Sequence, residues 1–215
     1  MIKKKTGVLL SGGGSNLQAL IDACTQPEYP AEIAVVISNT ESAYGLNRAR
    51  EHDIPAHIIS HKDYATRPAF DDAMQDMLER HNVEIICLAG FMRLLTPEFV
   101  ARWRDRLLNI HPSLLPAFKG VHAHAEVLAS GVRFSGCTVH FVRPEMDAGP
   151  IILQAAVPVL PGDTQETLAA RVLEQEHLCY PLALRWLAEG NLAVKEEKVT
   201  VKNGRFLSGG MINPA

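Results

Sequence analysis

Residues 84–90 read EIICLAG, a continuous apolar run typical of a strand that is covered by other elements on both faces. The segments TGVLLS (6–11), EIAVVIS (32–38), PAHIIS (55–60) and RLLNIH (106–111) predict further strands on either side of it. Apolar residues at helical spacing separate these strands and predict helices over 17–24, near 42–52, over 67–81 and after Thr96-Pro97. Alternating strands and helices indicate a parallel sheet with right-handed crossovers.

The pattern changes after about residue 134. GCTVHFV (136–142) and IILQAAVPV (151–159) are consecutive strand patterns, and a long helix follows at about 163–189, where Asp163 or Thr164 can cap its start. The segment Lys202-Asn203-Gly204-Arg205 is typical of a hairpin turn. We predict one α/β domain over residues 1–215. Its sheet should be Rossmann-like, open, twisted and mostly parallel, with helices on both faces and mixed or antiparallel strands in the C-terminal half.

The composition excludes several classes of protein. A formal net charge of −3 over 215 residues leaves no broad basic surface for nucleic acid. No apolar run approaches the roughly 18 residues of a membrane span. The four cysteines lie far apart along the chain, which favours reduced thiols over a disulfide or zinc framework. We therefore predict a cytoplasmic protein that binds neither nucleic acid nor a membrane.

The loop SGGGSN (11–16) joins the first predicted strand to the first helix. Glycine lets the backbone approach a ligand closely, and the N–H groups at a helix start bind anions. A dinucleotide fingerprint fits poorly, because Leu17 stands where a third small residue belongs and the second strand ends without an acidic residue. A single phosphate on Gly14, Ser15 and Asn16 fits better. The structural alternative is a tight turn in which Ser15 or Asn16 caps the helix.

In RLLNIHPSLLP (106–116), two hydrogen-bonding side chains interrupt an apolar strand pattern. Asn109 and His111 are two residues apart and project from the same face of a strand, and Pro112 keeps His111 extended. Ligands of open α/β sheets collect at the carboxyl ends of strands, where this pair lies. An amide and an imidazole together suit the oxyanion that forms when an acyl carbon becomes tetrahedral. The alternative for His111 is a structural hydrogen bond.

Two carboxylates are further candidates. Asp147 lies within RPEMDAGPIIL (143–153), in a turn between two strands, where an aspartate commonly bonds its own backbone. Within about 4–6 Å of His111, its charge would favour the imidazolium. Glu176 belongs to an otherwise apolar stripe of the last helix and needs a partner there. The hydroxyls of a sugar and a nearby arginine would serve equally well.

Several motifs together resemble one family. They are SGGGSNLQA (11–19), CLAGFMRLL (87–95), LNIHPSLLP (108–116), CTVHFV (137–142), DAGPIILQ (147–154) and QEH (175–177), within a match from about Thr6 to Trp186. On these residues the chain resembles the 10-formyltetrahydrofolate-dependent phosphoribosylglycinamide formyltransferases of purine synthesis. The HPSLLP element is shared by formyl-folate enzymes generally. The glycine loop followed by SN and the QEH are typical of the ribonucleotide branch.

The resemblance implies a role for each matching residue. The positions that match catalytic residues are Asn109, His111 and Asp147, with Thr138 and His140 in support behind them. The positions that match contacts to the substrate phosphate and ribose are Gly14, Ser15, Asn16 and Glu176. The positions that match folate contacts are Arg67, Met92, Arg93, Leu94, Leu95, Asn109, Arg143, Pro144, Glu145, Met146 and Asp147.

The resemblance also implies a division of the domain. Residues 1–110 would form the phosphate- and nucleotide-binding half, residues 111–190 the folate-binding and catalytic half, and residues 191–215 a C-terminal hairpin tail. The co-substrate would be 10-formyltetrahydrofolate. We expect no metal, because no carboxylate or cysteine set accompanies His122-Ala123-His124. We expect small-molecule substrates and a monomer or homodimer.

The expected reaction is transfer of the formyl group to the amine of the ribonucleotide, with the oxyanion held by Asn109 and His111. A formyl-folate hydrolase would use the same residues with water as acceptor, and usually carries an N-terminal regulatory domain, whereas the first strand here begins near residue 6. A methionyl-tRNA formyltransferase would need more chain and more positive charge. A non-catalytic phosphoribosyl-binding module would leave Asn109, His111 and Asp147 without a task.

Overall fold

The strands follow the predicted alternation in the computed structural model, which describes residues 2–202, 204 and 213. They are β1 (Lys4–Leu10), β2 (Ala31–Ser38), β3 (Ala56–Ile58), β4 (Ile85–Leu88), β5 (Leu107–His111), β6 (Phe134–Phe141), β7 (Ile151–Pro158), β8 (Leu192–Lys195) and β9 (Lys198–Val201). The helices are α1 (Ser15–Cys24), α2 (Gly45–Glu51), α3 (Arg67–Arg80), α4 (Pro97–Arg102), α5 (Ala123–Ser130) and α6 (Gln165–Ala188), with a 3₁₀ turn at His61–Asp63.

The first seven strands form one sheet in the order β3-β2-β1-β4-β5-β6-β7. Strands β1 to β5 pair in parallel, and β6 and β7 add antiparallel strands at the far edge. One core, on the face of α1, α2, α5 and α6, and a second core, on the face of α3 and α4, cover the two sides. The predicted fold class is therefore confirmed. Because the strand order reverses between β1 and β4, a crevice opens at their carboxyl ends.

Threonines fix where three helices begin. The hydroxyl of Thr66 accepts from the backbone N–H of Ala69 at the start of α3, and that of Thr96 accepts from Phe99 at the start of α4. At α6, Thr164 is the capping residue, with its hydroxyl accepting from the N–H of Thr167. These caps supply partners for helix N–H groups that would otherwise have none.

The buried hydroxyl of Tyr180 ties α6 to the centre of the sheet. It lies 2.9 Å from the carbonyl oxygen of Leu88 and 3.2 Å from that of Leu108, so it links the last residue of β4 to the second residue of β5. Leu108 immediately precedes Asn109. The long helix therefore helps to fix the strand end from which Asn109 and His111 project.

Strands β8 and β9 form a separate hairpin. Its turn consists of Glu196 and Glu197, both in left-handed backbone conformation with φ of 50° and 54°. The sequence did not reveal this turn, because such turns favour Asn-Gly pairs over glutamates. The turn predicted at 202–205 includes Asn203 and Arg205, and so lies outside the described residues. Among the described helices, none is both long and apolar enough to span a membrane.

Candidate active site

Two neighbouring cavities open at the carboxyl ends of β1, β4 and β5. The smaller, of about 280 Å³, is lined by residues 11–16 of the glycine loop together with Ala89, Gly90 and Met92. The larger, of about 350 Å³, is lined by the segment 90–95, the end of β5 and the segment after β6. Gly90 and Met92 line both cavities. The arrangement leaves room for two small molecules side by side.

The glycine loop brings the chain from β1 into α1 at the smaller cavity. Gly14 is the capping residue of α1, with a φ of 71°, and Ser15 and Asn16 are the first two helical residues. The alternative reading, in which Ser15 or Asn16 caps the helix, is therefore wrong. No side chain caps the N–H groups of the first turn of α1, which begins at the smaller cavity. They are suited to bind an anion.

Substitution of Gly14 by alanine should damage both the loop and anion binding. A Cβ there would lie 2.7 Å from the Cα of Gly45, in addition to the cost of the left-handed conformation. We expect the free energy of unfolding of Gly14→Ala to fall by about 1–3 kcal/mol, measured by urea denaturation. Gly13→Ala is the matched control, because its Cβ would meet no protein atom within 4 Å. Equal losses in the two variants would contradict this account.

Glu176 faces the start of α1 from α6. Its Oε2 accepts a hydrogen bond of 2.6 Å from Nδ2 of Asn16, and burial raises the pKa of the Glu176 carboxyl. The partner of the Glu176 carboxylate in the structure is thus the amide of Asn16. Neither a sugar nor an arginine is needed to explain why Glu176 is buried. Oδ1 of Asn16 is buried with no hydrogen-bond partner in the described part of the chain. An acceptor in this state is costly unless a ligand supplies a donor.

His140 holds the amide of Asn109 in one orientation. Nδ1 of His140 lies 3.0 Å from the carbonyl oxygen of Phe141, which can only accept, so Nδ1 carries a hydrogen. Burial lowers the pKa of His140 and favours its neutral form, in which Nε2 is an acceptor. Nδ2 of Asn109 lies 3.2 Å from that Nε2. One amide hydrogen is therefore committed to His140, and the second is left for a ligand.

The imidazole of His111 is fixed by a backbone carbonyl. Its Nε2 lies 2.8 Å from the carbonyl oxygen of Phe118, so Nε2 carries a hydrogen. Its Nδ1 lies 3.5 Å from Oδ2 of Asp147, and the two side chains are only 6 % and 10 % exposed. Nδ1 is therefore the ring nitrogen left to exchange a proton, and a carboxylate faces it.

Asp147 is held by groups from two separate segments. Its backbone is left-handed, with a φ of 51°, and its Oδ2 accepts a hydrogen bond of 2.9 Å from the N–H of Gly120. Its Oδ1 lies 3.8 Å from Nε2 of His140. The carboxylate thus lies between His111 and His140. Asn109, His111 and Asp147 all line the larger cavity.

Thr138 supports the loop that follows His111. Its hydroxyl donates to the carbonyl oxygen of Ser113 at 2.7 Å and accepts from the N–H of Leu115 at 3.1 Å and from Nε2 of Gln154 at 2.9 Å. These contacts anchor the HPSLLP segment to β6 and β7. The resemblance implied that Thr138 and His140 support the catalytic residues. In the structure Thr138 contacts the loop that follows His111, and His140 contacts Asn109.

Exposed apolar side chains surround the larger cavity. Met92 is 62 %, Leu94 56 %, Val121 74 % and Met146 51 % exposed, and all four line it. Met92 and Leu94, although apolar, are therefore not part of the buried core. Large apolar side chains exposed together around a concave site are typical of a ligand pocket. They suit a ligand with an apolar, flat ring system.

The other predicted folate positions are divided. Arg93, Leu95, Arg143 and Pro144 line the cavity with the residues above. Arg67 is exposed at the start of α3, and Glu145 is exposed and paired with Lys119 at 3.4 Å; both lie outside the lining. Within the described residues, no three His, Cys, Asp or Glu side chains are grouped to hold a metal ion.

Sequence patterns could not reveal the backbone groups of this site. The carbonyl of Phe118 and the N–H of Gly120 orient His111 and Asp147, but every residue has such groups. Ser11 was also missed as a link between the cavities. Its hydroxyl donates to Oδ1 of Asn39 at 2.5 Å and accepts from the N–H of Met92 at 2.8 Å. Only the position of Ser11 at the end of β1 hinted at this role.

Comparisons with known proteins agree with this geometry. Residues 4–184 match the family model described as formyl transferase. The chain is 46 % identical to the phosphoribosylglycinamide formyltransferase of Haemophilus influenzae, covering 90 % of this chain and 91 % of that protein. It is 53 % identical to the trifunctional purine biosynthetic protein adenosine-3 of Gallus gallus, covering 90 % of this chain.

The chain spans only 19 % of that trifunctional protein, and 14–20 % of the similar proteins from other animals. Among solved structures, glycinamide ribonucleotide transformylase 1 from Symbiobacterium toebii superposes with a TM-score of 0.92 at 48 % identity. That alignment covers 94 % of this chain and 95 % of the other. The family match over most of the chain and these likenesses show that the chain belongs to the formyl transferase family.

Proposed function

We propose that this protein transfers the formyl group of 10-formyltetrahydrofolate to the amine of phosphoribosylglycinamide in purine biosynthesis. The observation that carries the proposal is that Asn109, His111 and Asp147 line a cavity that adjoins an anion-binding loop. Membership of the formyl transferase family and the likeness to bacterial phosphoribosylglycinamide formyltransferases support it. The reaction needs two small molecules that meet at one reacting carbon, and two adjoining cavities suit it.

We propose that the smaller cavity takes the ribonucleotide. Its phosphate would be bound by the backbone N–H groups of Gly14, Ser15 and Asn16, where the helix dipole also favours an anion. Glu176 and the buried Oδ1 of Asn16 are acceptors for the hydroxyls of its ribose. Glu176 does not line the cavity and Oδ1 of Asn16 is closed to solvent, so both side chains would have to turn toward the ribose as it binds.

The larger cavity would take the folate. The apolar side chains of Met92, Leu94, Leu95 and Met146 suit its ring system, with Arg93 and the segment 143–147 beside them. Arg67 does not line the cavity. It could therefore contact only a part of the folate that extends beyond the cavity. When bound there, the folate supplies the formyl group.

The three polar residues then have separate tasks in the transfer. As the acceptor amine bonds to the formyl carbon, the free amide hydrogen of Asn109 and the positive charge of a protonated His111 stabilise the negative charge on the formyl oxygen. Asp147 orients the imidazole, with its negative charge facing Nδ1. A proton leaves the amine and one reaches the departing folate nitrogen, with His111 or water as the relay. No covalent bond to the protein is needed.

We further propose that the protein works in the cytoplasm without a metal, as a monomer or homodimer, with no nucleic acid or membrane partner. The net charge of −3 and the free cysteines Cys24, Cys87, Cys137 and Cys179 support this. The division into a nucleotide-binding half (1–110), a folate-binding half (111–190) and a tail (191–215) also stays a proposal. Light scattering of the purified protein would measure the oligomeric state.

The proposed activity is tested by incubating the protein with phosphoribosylglycinamide and 10-formyltetrahydrofolate and measuring the mass of the acceptor. We expect the acceptor to gain one formyl group. Formate release without a gain by the acceptor would replace the proposal with a formyl-folate hydrolase. No reaction of either kind would favour a binding module.

A further inference from the structure

Three protein oxygens hold the guanidinium of Arg143, a residue that lines the larger cavity. Its Nε donates to Oε2 of Glu197 at 2.6 Å, its Nη2 to Oδ1 of Asp105 at 2.7 Å, and its Nη1 to the carbonyl oxygen of Val142 at 3.1 Å. The side chain is only 9 % exposed. Because each of its three nitrogens donates to a protein oxygen, the guanidinium is held in one orientation. Arg143 therefore anchors the segment that it begins.

Glu197 reaches this anchor from the turn of the β8–β9 hairpin. Its carboxylate bridges two arginines, because its other oxygen pairs with Arg104. The left-handed backbone of Glu197 is one that glutamate rarely adopts, since turns of this type favour asparagine and glycine. Disfavoured backbone persists where surrounding contacts determine it, often next to functional segments. Of the two residues in this turn, Glu197 is the one with arginine contacts among the described residues.

The anchored residue begins a segment that ends in the catalytic centre. Arg143 is the first residue of 143–147, and Arg143, Pro144, Met146 and Asp147 line the larger cavity. Fixing one end of so short a segment restricts where its other end can lie. Pro144 and Met146, which follow Arg143 and line the cavity, are the residues most directly affected by the hold of Glu197 on Arg143.

We propose that Glu197 is a positioning residue that acts through Arg143 to shape the 143–147 segment for the formyl donor. This proposal rests on the proposed function. It gives the β8–β9 hairpin a part in donor binding, although the hairpin is far along the chain from the catalytic residues. Glu197 does not touch the substrate in this account. Its effect should therefore fall on the donor and leave the ribonucleotide site unchanged.

The variant Glu197→Gly separates this role from a structural one. Glycine suits the left-handed turn, so the hairpin and the thermal midpoint should be retained while the carboxylate is lost. We expect the KM for 10-formyltetrahydrofolate to rise about tenfold and the KM for phosphoribosylglycinamide to stay within about twofold. Glu196→Gly is the matched control. It makes the same change in the same turn at an exposed residue that has no ion pair among the described residues.

A double variant tests whether the effect passes through Arg143. In an Arg143→Met background, Glu197→Gly should change the donor KM no further, because its partner is already gone. A further tenfold rise in that background would overturn the proposal. So would a wild-type donor KM in Glu197→Gly, or equal rises in Glu196→Gly and Glu197→Gly.

A binding measurement keeps this test separate from that of the proposed function. Calorimetry with tetrahydrofolate, the expected product, gives a Kd that does not depend on turnover. A Kd about tenfold weaker in Glu197→Gly than in wild type supports the role of Glu197, and an unchanged Kd overturns it. Both outcomes can be read even if wild type forms no formylated ribonucleotide, in which case the proposed function alone has failed.

Discussion

Replacing Asn109 with alanine should reduce kcat by about 10²–10³-fold, while the KM for each substrate changes little. The amide is oriented by His140 so that one hydrogen is left for the cavity, and that hydrogen is most useful when negative charge develops on the formyl oxygen. An interaction made mainly in the transition state affects kcat and kcat/KM together. Steady-state rates with each substrate varied in turn would measure this.

The control for Asn109→Ala is the exposed residue Asn47 on α2, because Asn47→Ala makes the same chemical change away from both cavities. We expect wild-type kcat in that variant. Thermal denaturation should show that Asn109→Ala is still folded, with a loss of about 1 kcal/mol for its hydrogen bond to His140. A normal kcat in Asn109→Ala would remove Asn109 from the mechanism.

Asp147→Asn should reduce kcat at neutral pH by about 10²-fold or more. Asparagine tolerates the left-handed backbone of this turn and can accept from Gly120, so the substitution removes the charge with little change of shape. The lost charge lies 3.5 Å from Nδ1 of His111, so the variant lacks the carboxylate that orients the imidazole. Steady-state kinetics at neutral pH would measure the loss.

Asp53→Asn is the matched control for Asp147→Asn. Asp53 is an exposed aspartate with a left-handed backbone, at a φ of 56°, and it lies near β3, at the edge of the sheet away from both cavities. Asp53→Asn should retain the wild-type kcat. An equal kcat for wild type and Asp147→Asn would mean that the charge of Asp147 has no part in the reaction.

The sequence predicted most of the fold because the fold depends on local patterns. Apolar runs such as 84–90 and helix-capping residues determine the structure of residues close to them in the sequence. The strands and helices predicted from such patterns end within a few residues of the observed ends. The same holds for Asn109 and His111, whose spacing on one strand placed them on one face. The hairpin turn at Glu196 and Glu197 was missed because its residues do not favour it locally.

The contacts that complete the site are between residues distant in the sequence. The partner of Glu176 is Asn16, and the anchor of Arg143 is Glu197. A pattern shows that a buried carboxylate needs a partner, but the partner is chosen by the packing of α1 against α6 and of the hairpin against the sheet. Arg143 illustrates the limit, since no local pattern showed that Asp105 and Glu197 would pair with its guanidinium.

The central claim is that Asn109 and His111 act on the same formyl group, beside a ribonucleotide bound on the glycine loop. Single-turnover formyl transfer, followed by rapid quenching with both substrates saturating, measures the chemical step for wild type and for the Asn109→Ala, His111→Ala double variant. We expect the double variant to bind both substrates and to transfer the formyl group at least about 10³-fold more slowly than wild type. Transfer by the double variant at the wild-type rate would contradict the claim.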